Sequence, residues 1–509
     1  MTLSNADLRE ALDACLPEIA RQHHSPGVNA AVARDGQVIW EGAEGLADLE
    51  RGIPMTPATV NRSGSMGKTY TATAVMQLVE QGIVELDGRA DAHLAFRIDN
   101  PLGGGEVTVR HLLTHSSGMM TNGACSTFST PTPLEEHLRQ HYAGEIGIDF
   151  FPKMDLPMWS APTGEAAQYS NIGIATLGLI VQRANPDGLP FSEYVQRNVI
   201  DLLGMTSTQY PPVQDPDHIR PDLLGRMSTG YSRLGGGVHI PSPRLCFADF
   251  PAGTAVLTPG DHVRLLAAYL EGGTLDGRQL LKPETVQEML TPQREGIFPA
   301  TAVGLVWMLR GVGTELATFG HSGAHMWGWT NTSTGFLNHR IAIAVSANHW
   351  NLFEGEHNPR YGEGDDLTAV LGHLLRADRP ISAHRGHAHP WAWKVSYVTG
   401  LVAANRFGPY LGIEEPLTDA HLDAMTGGAR SVDAGRGGVE LWDAEGFRAG
   451  VADFSLAEPT GAGIHAFLAS DRIGVSPAEM YLVNRELLGP TGGAVVGIPA
   501  ELTTDKADQ

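Results

Sequence analysis

Two residues suited to covalent catalysis, Ser65 and Lys68, stand three positions apart in the run Ser65-Met66-Gly67-Lys68. The chain from Thr69 onward has a helical pattern that stops at Gly82, so the pair is predicted to lie at the start of a helix. At this spacing the side chains share one helix face, and the lysine amine can accept the serine proton. A helix start also directs backbone N–H groups at a developing oxyanion. The ordinary alternatives are an N-capping serine and a solvated lysine.

A tyrosine in a second short run is a candidate for proton transfer. Tyr169-Ser170-Asn171 precedes the apolar helical stretch from Ile172 to Val181. A phenol held near an ammonium can ionise well below its ordinary pKa of about 10. We therefore expect Tyr169 to act as a base or a proton shuttle.

The third candidate run, His321-Ser322-Gly323, stands at the start of a predicted strand. Glycine at this position lets the backbone of a substrate approach closely. The next backbone N–H, on Ala324, can join that of Ser65 in an oxyanion hole. The three runs therefore suit nucleophilic attack by a serine on a carbonyl carbon.

Together these runs resemble the motifs of serine β-lactamase-like and penicillin-binding-protein-like hydrolases, which include class C β-lactamases, DD-peptidases, D-aminopeptidases and β-lactamase-type esterases. The resemblance covers roughly residues 5–376 and extends to the runs at 108–119, 203–205 and 251–253. It implies a β-lactamase/transpeptidase-like domain, in which helices flank an antiparallel sheet and a helical subdomain is added.

The resemblance sorts the motif residues into two groups. The expected catalytic group consists of Ser65, Lys68, Tyr169 and His321. The expected substrate-binding and oxyanion group consists of Asn171, Ser322, Gly323 and Ala324. Ser65 is the expected nucleophile, and how Lys68 and Tyr169 divide the role of base stays open at this point.

The residue that heads the third run bears on the substrate. Many members of the family have Lys-Thr-Gly there, and its ammonium pairs with a substrate carboxylate, whereas this chain has His321. A largely neutral imidazole cannot supply a full positive charge at pH 7. The His-x-Gly version resembles that of D-aminopeptidases, D-stereospecific amidases and some thioesterase-like peptide cyclases, so an antibiotic is not the first choice of substrate.

These features favour a serine hydrolase that cleaves an amide or ester bond through a Ser65 acyl-enzyme, first of all a peptidase or amidase acting on short peptides, D-configured ones included. The alternatives left open are a carboxylesterase or β-lactamase, a peptide-cyclising thioesterase-like acyltransferase, and a non-catalytic, penicillin-sensor-like binding protein. No cofactor is expected.

Histidines outside the three runs have simpler interpretations. His111 and His115 lie in an apolar segment and are interpreted as structural. Three more histidines, His384, His387 and His389, lie in a predicted linker without a nearby pattern of acidic or cysteine ligands, so no metal site is expected.

The elements that must position these residues indicate an α+β fold. Residues 27–40 predict a hairpin, and residues 303–310, 318–329 and 341–346 predict three adjacent strands. Between them, residues from about 105 to 290 predict a mainly helical subdomain. A sheet built from both ends of the domain around a helical insert follows.

The pattern changes after the predicted catalytic domain, which spans residues 1–376 and ends in a helix at 366–376. Residues 377–390 predict a linker, and residues 391–509 predict a small β-rich barrel or sandwich domain. This last domain is expected to cover the cleft, to mediate a homodimer or only to stabilise the chain, and its residues do not choose among these roles.

Charge and cysteine content indicate which kinds of partner and which compartment to expect for the protein. The 509 residues include 35 Lys+Arg and 57 Asp+Glu, a net charge of -22, which repels phosphates and anionic lipids. We therefore expect a small-molecule or short-peptide substrate and neither a nucleic acid nor a membrane as partner. Three cysteines without C-x-x-C spacing, and an N-terminus without the pattern of an export signal, predict a cytoplasmic protein.

Overall fold

A computed structural model of the protein describes residues 4–119, 126–127, 131–145, 158–213, 216–234, 238–242, 246–295, 301–325 and 328–351, together with 363–364, 367–368, 371–372 and 375. The predicted linker at 377–390 and the predicted β-rich domain at 391–509 lie outside the described residues. Described residues between 16 and 355, with 363 and 364, belong to one compact unit, and the others belong to a second unit.

The α-helices of the described residues are α1 (Asn5–Gln22), α2 (Lys68–Glu80), α3 (Val109–Leu113), α4 (Leu134–Tyr142), α5 (Asn171–Ala184), α6 (Phe191–Val195), α7 (Pro221–Leu224), α8 (Pro259–Leu270) and α9 (Pro283–Met289). Between α3 and α9, the described strands are only two to four residues long. Helical residues thus outnumber strand residues in the described part of 105–290, in agreement with the predicted helical subdomain.

The strands before the helical region are β1 (Gly27–Arg34), β2 (Gln37–Asp48), β3 (Ile53–Pro54) and β4 (Asn61–Arg62). Those within it are β5 (Ser126–Thr127), β6 (Tyr231–Leu234), β7 (Val238–Pro241), β8 (Cys246–Phe247), β9 (Val256–Leu257), β10 (Thr274–Leu275) and β11 (Arg278–Gln279). Those after it are β12 (Arg294–Glu295), β13 (Thr301–Val303), β14 (Met308–Arg310), β15 (Thr318–His325), β16 (Trp329–Phe336), β17 (Ile341–Ala347) and β18 (His349–Asn351).

The main sheet of the described residues joins both ends of this unit, as predicted. Its strand order is β12-β13-β14-β15-β16-β17-β1-β2-β3, and its neighbouring strands are antiparallel. The predicted hairpin is formed by β1 and β2, with Asp35 and Gly36 at φ of 49° and 77° in the turn. Two consecutive positive φ angles are typical of the turn that joins tightly paired strands.

Two of the predicted late strands are wrong in extent, because each contains a turn. Residues 303–310 divide between β13 and β14, where the N–H of Gly304 donates to the carbonyl of Trp307 and Val306 has a φ of 72°. Residues 318–329 divide between β15 and the start of β16. The N–H of Gly328 donates to the carbonyl of His325, which closes that second turn. The third predicted strand is confirmed as β17.

Helix packing explains why Lys68 is buried. Helix α8 lies across β1, β16 and β17, and α2 packs against α5. Every residue of α2 from Lys68 to Leu78 is buried, so this helix is enclosed on all sides rather than amphipathic. A lysine at its first position therefore lies in the protein interior.

Candidate active site

Ser65 lies in a short 3₁₀ turn, Gly64–Gly67, that leads directly into α2. Its neighbours from Asn61 to Tyr70 are buried, whereas Ser65 itself is partly exposed. This turn needs a glycine at position 64, where φ is +50° and a Cβ atom would lie 2.6 Å from the carbonyl carbon of Ala324. The local chain thus presents one hydroxyl to solvent from an otherwise enclosed segment.

Strand β15 packs its backbone directly on this turn. A Cβ atom added to Gly323 would lie 2.0 Å from the carbonyl oxygen of Ser63 and 3.0 Å from the nitrogen of Ser65. Only glycine permits so close an approach. The strand therefore brings the backbones of Ala324 and Ser65 together, the pair expected to form an oxyanion hole, and the side chains of Ser322 and Ala324 are exposed.

The amine of Lys68 is hydrogen-bonded inside the protein. Its Nζ atom donates to Ser65 Oγ at 2.9 Å and to the carbonyl oxygen of Ala252 at 2.5 Å. Burial disfavours the charged form and lowers the pKa of Lys68 from 10.5 to about 7, although the negative charge of Asp249 opposes this shift. A neutral amine, able to accept a proton from Ser65, is therefore populated near pH 7.

Tyr169 also contacts Ser65. Its hydroxyl forms a side-chain hydrogen bond with Ser65, and Lys68 Nζ lies 5.0 Å from the centre of its ring. The expectation of an unusually acidic phenol is wrong, because desolvation raises the pKa of Tyr169 above 10 and outweighs the hydrogen bond with Ser65, which lowers it. The phenol keeps its proton at neutral pH.

His321, on β15, completes the group that the sequence singled out. Its ring centre lies 6.1 Å from that of Tyr169 and its side chain is buried. Nδ1 lies 2.6 Å from the carbonyl oxygen of Ser322, so it carries a proton and donates it, which leaves Nε2 as an acceptor. Burial first, and the charge of Lys68 second, lower the pKa of His321 to about 3. The ring is neutral, as the sequence predicted.

Asn171 and His111, two other residues considered from the sequence, lie on different helices. Asn171 is the first residue of α5, two positions after Tyr169, and is partly exposed. His111 lies instead in a capping box at the start of α3, where its Nδ1 accepts the N–H of Thr108 and its own N–H donates to the Thr108 hydroxyl. This arrangement agrees with its structural interpretation.

Sequence reasoning missed three contributors to the site. Asp249 is buried and raises the pKa of Lys68, and the carbonyl oxygen of Ala252 accepts a hydrogen bond from the Lys68 amine. His115, interpreted as structural, packs its ring 4.5 Å from that of Tyr169. Ala252 belongs to the run Pro251-Ala252-Gly253, which carried the family resemblance without a role for any residue, and Asp249 lies outside that run.

The described residues show neither a metal-binding cluster nor a membrane-spanning helix. No group of three or more His, Cys, Asp or Glu side chains among them is arranged to hold a metal ion. Within the described helices, none has the length and apolar character needed to cross a lipid bilayer.

Comparison with known proteins identifies the family. The sequence model described as Beta-lactamase matches residues 12–364. The chain belongs to the beta-lactamase family. It is accordingly a serine hydrolase by family, with a β-lactamase/transpeptidase-like fold in its described part, as the sequence predicted.

Relatives in the beta-lactamase family have several different names. Esterase EstB of Burkholderia gladioli is 27% identical over 394 residues, which are 70% of this chain and 94% of the esterase. Penicillin-binding protein 4 of Amycolatopsis lactamdurans is 27% identical over 336 residues, 64% of this chain and 80% of that protein. A crystal structure of SurE with D-Leu is 27% identical, with a TM-score of 0.52, over 68% of this chain and 72% of that one.

One solved structure illustrates the fold alone. The octameric penicillin-binding protein homologue from Pyrococcus abyssi is 23% identical to this chain, with a TM-score of 0.55, and the match covers 74% of this chain and 80% of that one. Its octameric assembly is a property of that protein, and the homodimer considered from the sequence stays a prediction for this one.

Proposed function

We propose that this chain hydrolyses amide or ester bonds of small substrates through an acyl-enzyme on Ser65, with short peptides and amides, D-configured ones included, as its main substrates. The observation that carries the proposal is the contact of one partly exposed hydroxyl with both an amine and a phenol. Ser65 Oγ lies 2.9 Å from Lys68 Nζ and is hydrogen-bonded to Tyr169.

Each proton transfer has an assigned group. Neutral Lys68 takes the Ser65 proton as Oγ forms a bond to the carbonyl carbon, and the backbone N–H groups of Ser65 and Ala324 stabilise the oxyanion. Tyr169, which keeps its proton near pH 7, then delivers that proton to the departing nitrogen or oxygen as its bond to carbon breaks and is reprotonated by Lys68. Water attacks the acyl-enzyme by the same route in reverse, and Asn171 orients the substrate amide.

The charge of the site argues for the substrate class. His321 stands where many members of the family have a lysine, and burial keeps its ring neutral. A neutral ring gives no attraction to a carboxylate. Substrates that end in a free carboxylate are therefore disfavoured relative to neutral amides and esters. The structure of SurE, which is 27% identical to this chain, contains D-Leu, and this supports D-configured substrates.

A carboxylesterase is the second candidate. Esterase EstB matches this chain over 94% of its own length, so the likeness extends across nearly the whole of that enzyme. Because the same attack on a carbonyl serves both bond types, only the leaving group and acyl pocket separate the two candidates.

A substrate panel tests the proposal. We would compare p-nitrophenyl esters, D- and L-aminoacyl anilides, a chromogenic cephalosporin and an activated peptide ester, with product analysis of the last to detect cyclisation. We expect turnover of a neutral amide or ester, and the highest kcat/KM on an aminoacyl anilide.

The controls are two matched serine variants. Ser65→Ala should abolish turnover, whereas Ser192→Ala, a buried serine of α6, should keep it. Activity that survives in Ser65→Ala would refute the acyl-enzyme. Turnover of the cephalosporin alone would assign a β-lactamase instead, and binding without turnover of any substrate would assign a sensor.

A further inference from the structure

His115 contacts the loop that carries Tyr169. The histidine follows α3, is completely buried, and has a left-handed backbone with φ of +53°. Only a few per cent of non-glycine residues adopt this conformation, and His, Asn and Asp are the ones that adopt it most readily. The position is therefore specialised beyond the needs of apolar packing.

Three contacts connect His115 to three consecutive residues. The N–H of Gln168 donates to the carbonyl oxygen of His115 at 2.5 Å, and the N–H of Ser170 donates to its Nδ1 at 3.1 Å. Between them, the ring of Tyr169 packs 4.5 Å from the imidazole at an interplanar angle of 30°. One residue thus holds the tyrosine through the backbone N–H groups of both neighbouring residues and through its ring.

The hydrogen bond from Ser170 also determines the form of the imidazole. Since Nδ1 accepts, the neutral ring carries its proton on Nε2, which is buried and has no hydrogen-bond partner among the described residues. Burial first, then the neighbouring ionisable groups Lys68 and His321, hold the pKa of His115 well below its ordinary value. The ring therefore stays neutral and keeps an acceptor toward Ser170.

We propose that His115 is a positioning residue that holds the Tyr169 hydroxyl on Ser65, an inference that rests on the proposed function. It touches neither the nucleophile nor the amine through any hydrogen bond of the described residues, so its effect passes through Tyr169. The step that depends on it is delivery of a proton to the leaving group, because Tyr169 performs that step.

Two substitutions separate positioning from packing. His115→Asn keeps an acceptor oxygen near the place of Nδ1 and tolerates a left-handed backbone. His115→Phe keeps a ring for Tyr169 but leaves the N–H of Ser170 without an acceptor. His137→Phe is the matched control, because His137 is also buried with an unpartnered Nε2 among the described residues but lies on α4.

The readout is a pair of substrates with the same acyl group, a p-nitrophenyl ester and an amide or ethyl ester. Nitrophenolate leaves without a proton, whereas an amine or alkoxide needs one. We expect His115→Phe to lower kcat on the poor leaving group by about 10- to 100-fold, with KM within about twofold. On the nitrophenyl ester the loss should be under about threefold. His115→Asn should recover most of the activity, and His137→Phe should affect both substrates alike.

Combination with Tyr169→Phe completes the test. If His115 acts through Tyr169, the double variant should be no slower on the poor leaving group than Tyr169→Phe alone. Any of three results would overturn the inference. The losses of activity of the two single variants could multiply in the double variant, His115→Phe could lose as much activity on one substrate as on the other, or His115→Asn and His115→Phe could lose equal activity. Should His115→Phe fail to fold, His115→Ala takes its place in the same comparison, because alanine also offers no acceptor to the N–H of Ser170. Loss of Ser65 dependence would instead refute the proposed function.

Discussion

The amine of Lys68 lies 2.9 Å from the hydroxyl oxygen of Ser65, yet no part of Lys68 is exposed to solvent. Exclusion of water from the amine is what makes its neutral form available, since a buried ammonium loses its hydration. Burial of this amine therefore makes the activity depend on pH, and it also lowers the stability of the fold.

The pH dependence of kcat/KM follows from this amine. We expect activity to fall as pH drops below about 7, because Lys68, with a pKa of about 7, gains a proton and can no longer accept one. Asp249 raises that pKa, so Asp249→Asn should move the acidic limb to lower pH. A pH profile on a neutral substrate measures both. Asp222→Asn, an exposed control, should leave the limb in place, and a limb moved upward in Asp249→Asn would contradict this electrostatic account.

Lys68→Met should abolish activity and stabilise the protein at neutral pH. The pKa of Lys68 is lower in the folded state than its ordinary 10.5, so the unfolded chain binds more protons between these values. The full cost of burying Lys68 is therefore present below pH 7, and it disappears as pH rises toward 10.5. At about 1.4 kcal/mol per pKa unit, the cost amounts to a few kcal/mol. Thermal melts at pH 6 and pH 10 test this: the Tm gain should be larger at pH 6, and a Tm loss there would disprove it.

A methyl group on Gly323 should displace β15 from the nucleophile. The added Cβ would lie 2.0 Å from the backbone oxygen of Ser63, which cannot move independently of the Ser65 turn. We expect Gly323→Ala to lower kcat by about 100-fold and to cost about 1–3 kcal/mol of unfolding free energy. Steady-state kinetics and urea unfolding measure the two effects. Gly225→Ala, whose Cβ would have its nearest contact at 3.4 Å, is the control; equal behaviour of the two variants would exclude the steric explanation.

A buried hydrogen-bonded pair outside the site, Glu363 and His349, should stabilise this unit in a pH-dependent way. Glu363 lies 2.5 Å from His349 Nε2, also hydrogen-bonds to Ser25, and has a pKa held below its ordinary value despite burial. Its contribution is present above the ordinary carboxyl pKa of 4.5 and is lost as pH falls toward the lower folded value.

Glu363→Gln should therefore cost about 2 kcal/mol at pH 7, and the difference should shrink in acid below pH 4.5. Urea unfolding at both pH values provides the comparison. Glu106→Gln, which removes an exposed partner of Arg89, should cost under about 1 kcal/mol. A cost for Glu363→Gln no larger than this control would mean that the buried pair contributes nothing.

The late strands illustrate what pattern alone does not resolve. Residues 303–310 and 318–329 alternate as strands should, but each range includes a chain reversal. The turn at Val306, with its positive φ, carries no Asn-Gly or Asp-Gly signal of the kind that revealed the first hairpin at Asp35-Gly36. A reversal held by packing rather than by turn residues is invisible to local rules.

The sequence by itself determined the family, the α+β architecture of the described part, and a set of candidate residues, because short motifs preserve residue types and order. The tertiary structure decided their chemical state. Lys68 and the carbonyl of Ala252 are 184 positions apart, and His115 and Ser170 are 55 apart. A pKa depends on the solvent that packing removes and on the charges that packing brings near. The lowered pKa of Lys68, the protonated state of Tyr169 and the contact of His115 with Tyr169 therefore arise only when the chain is folded.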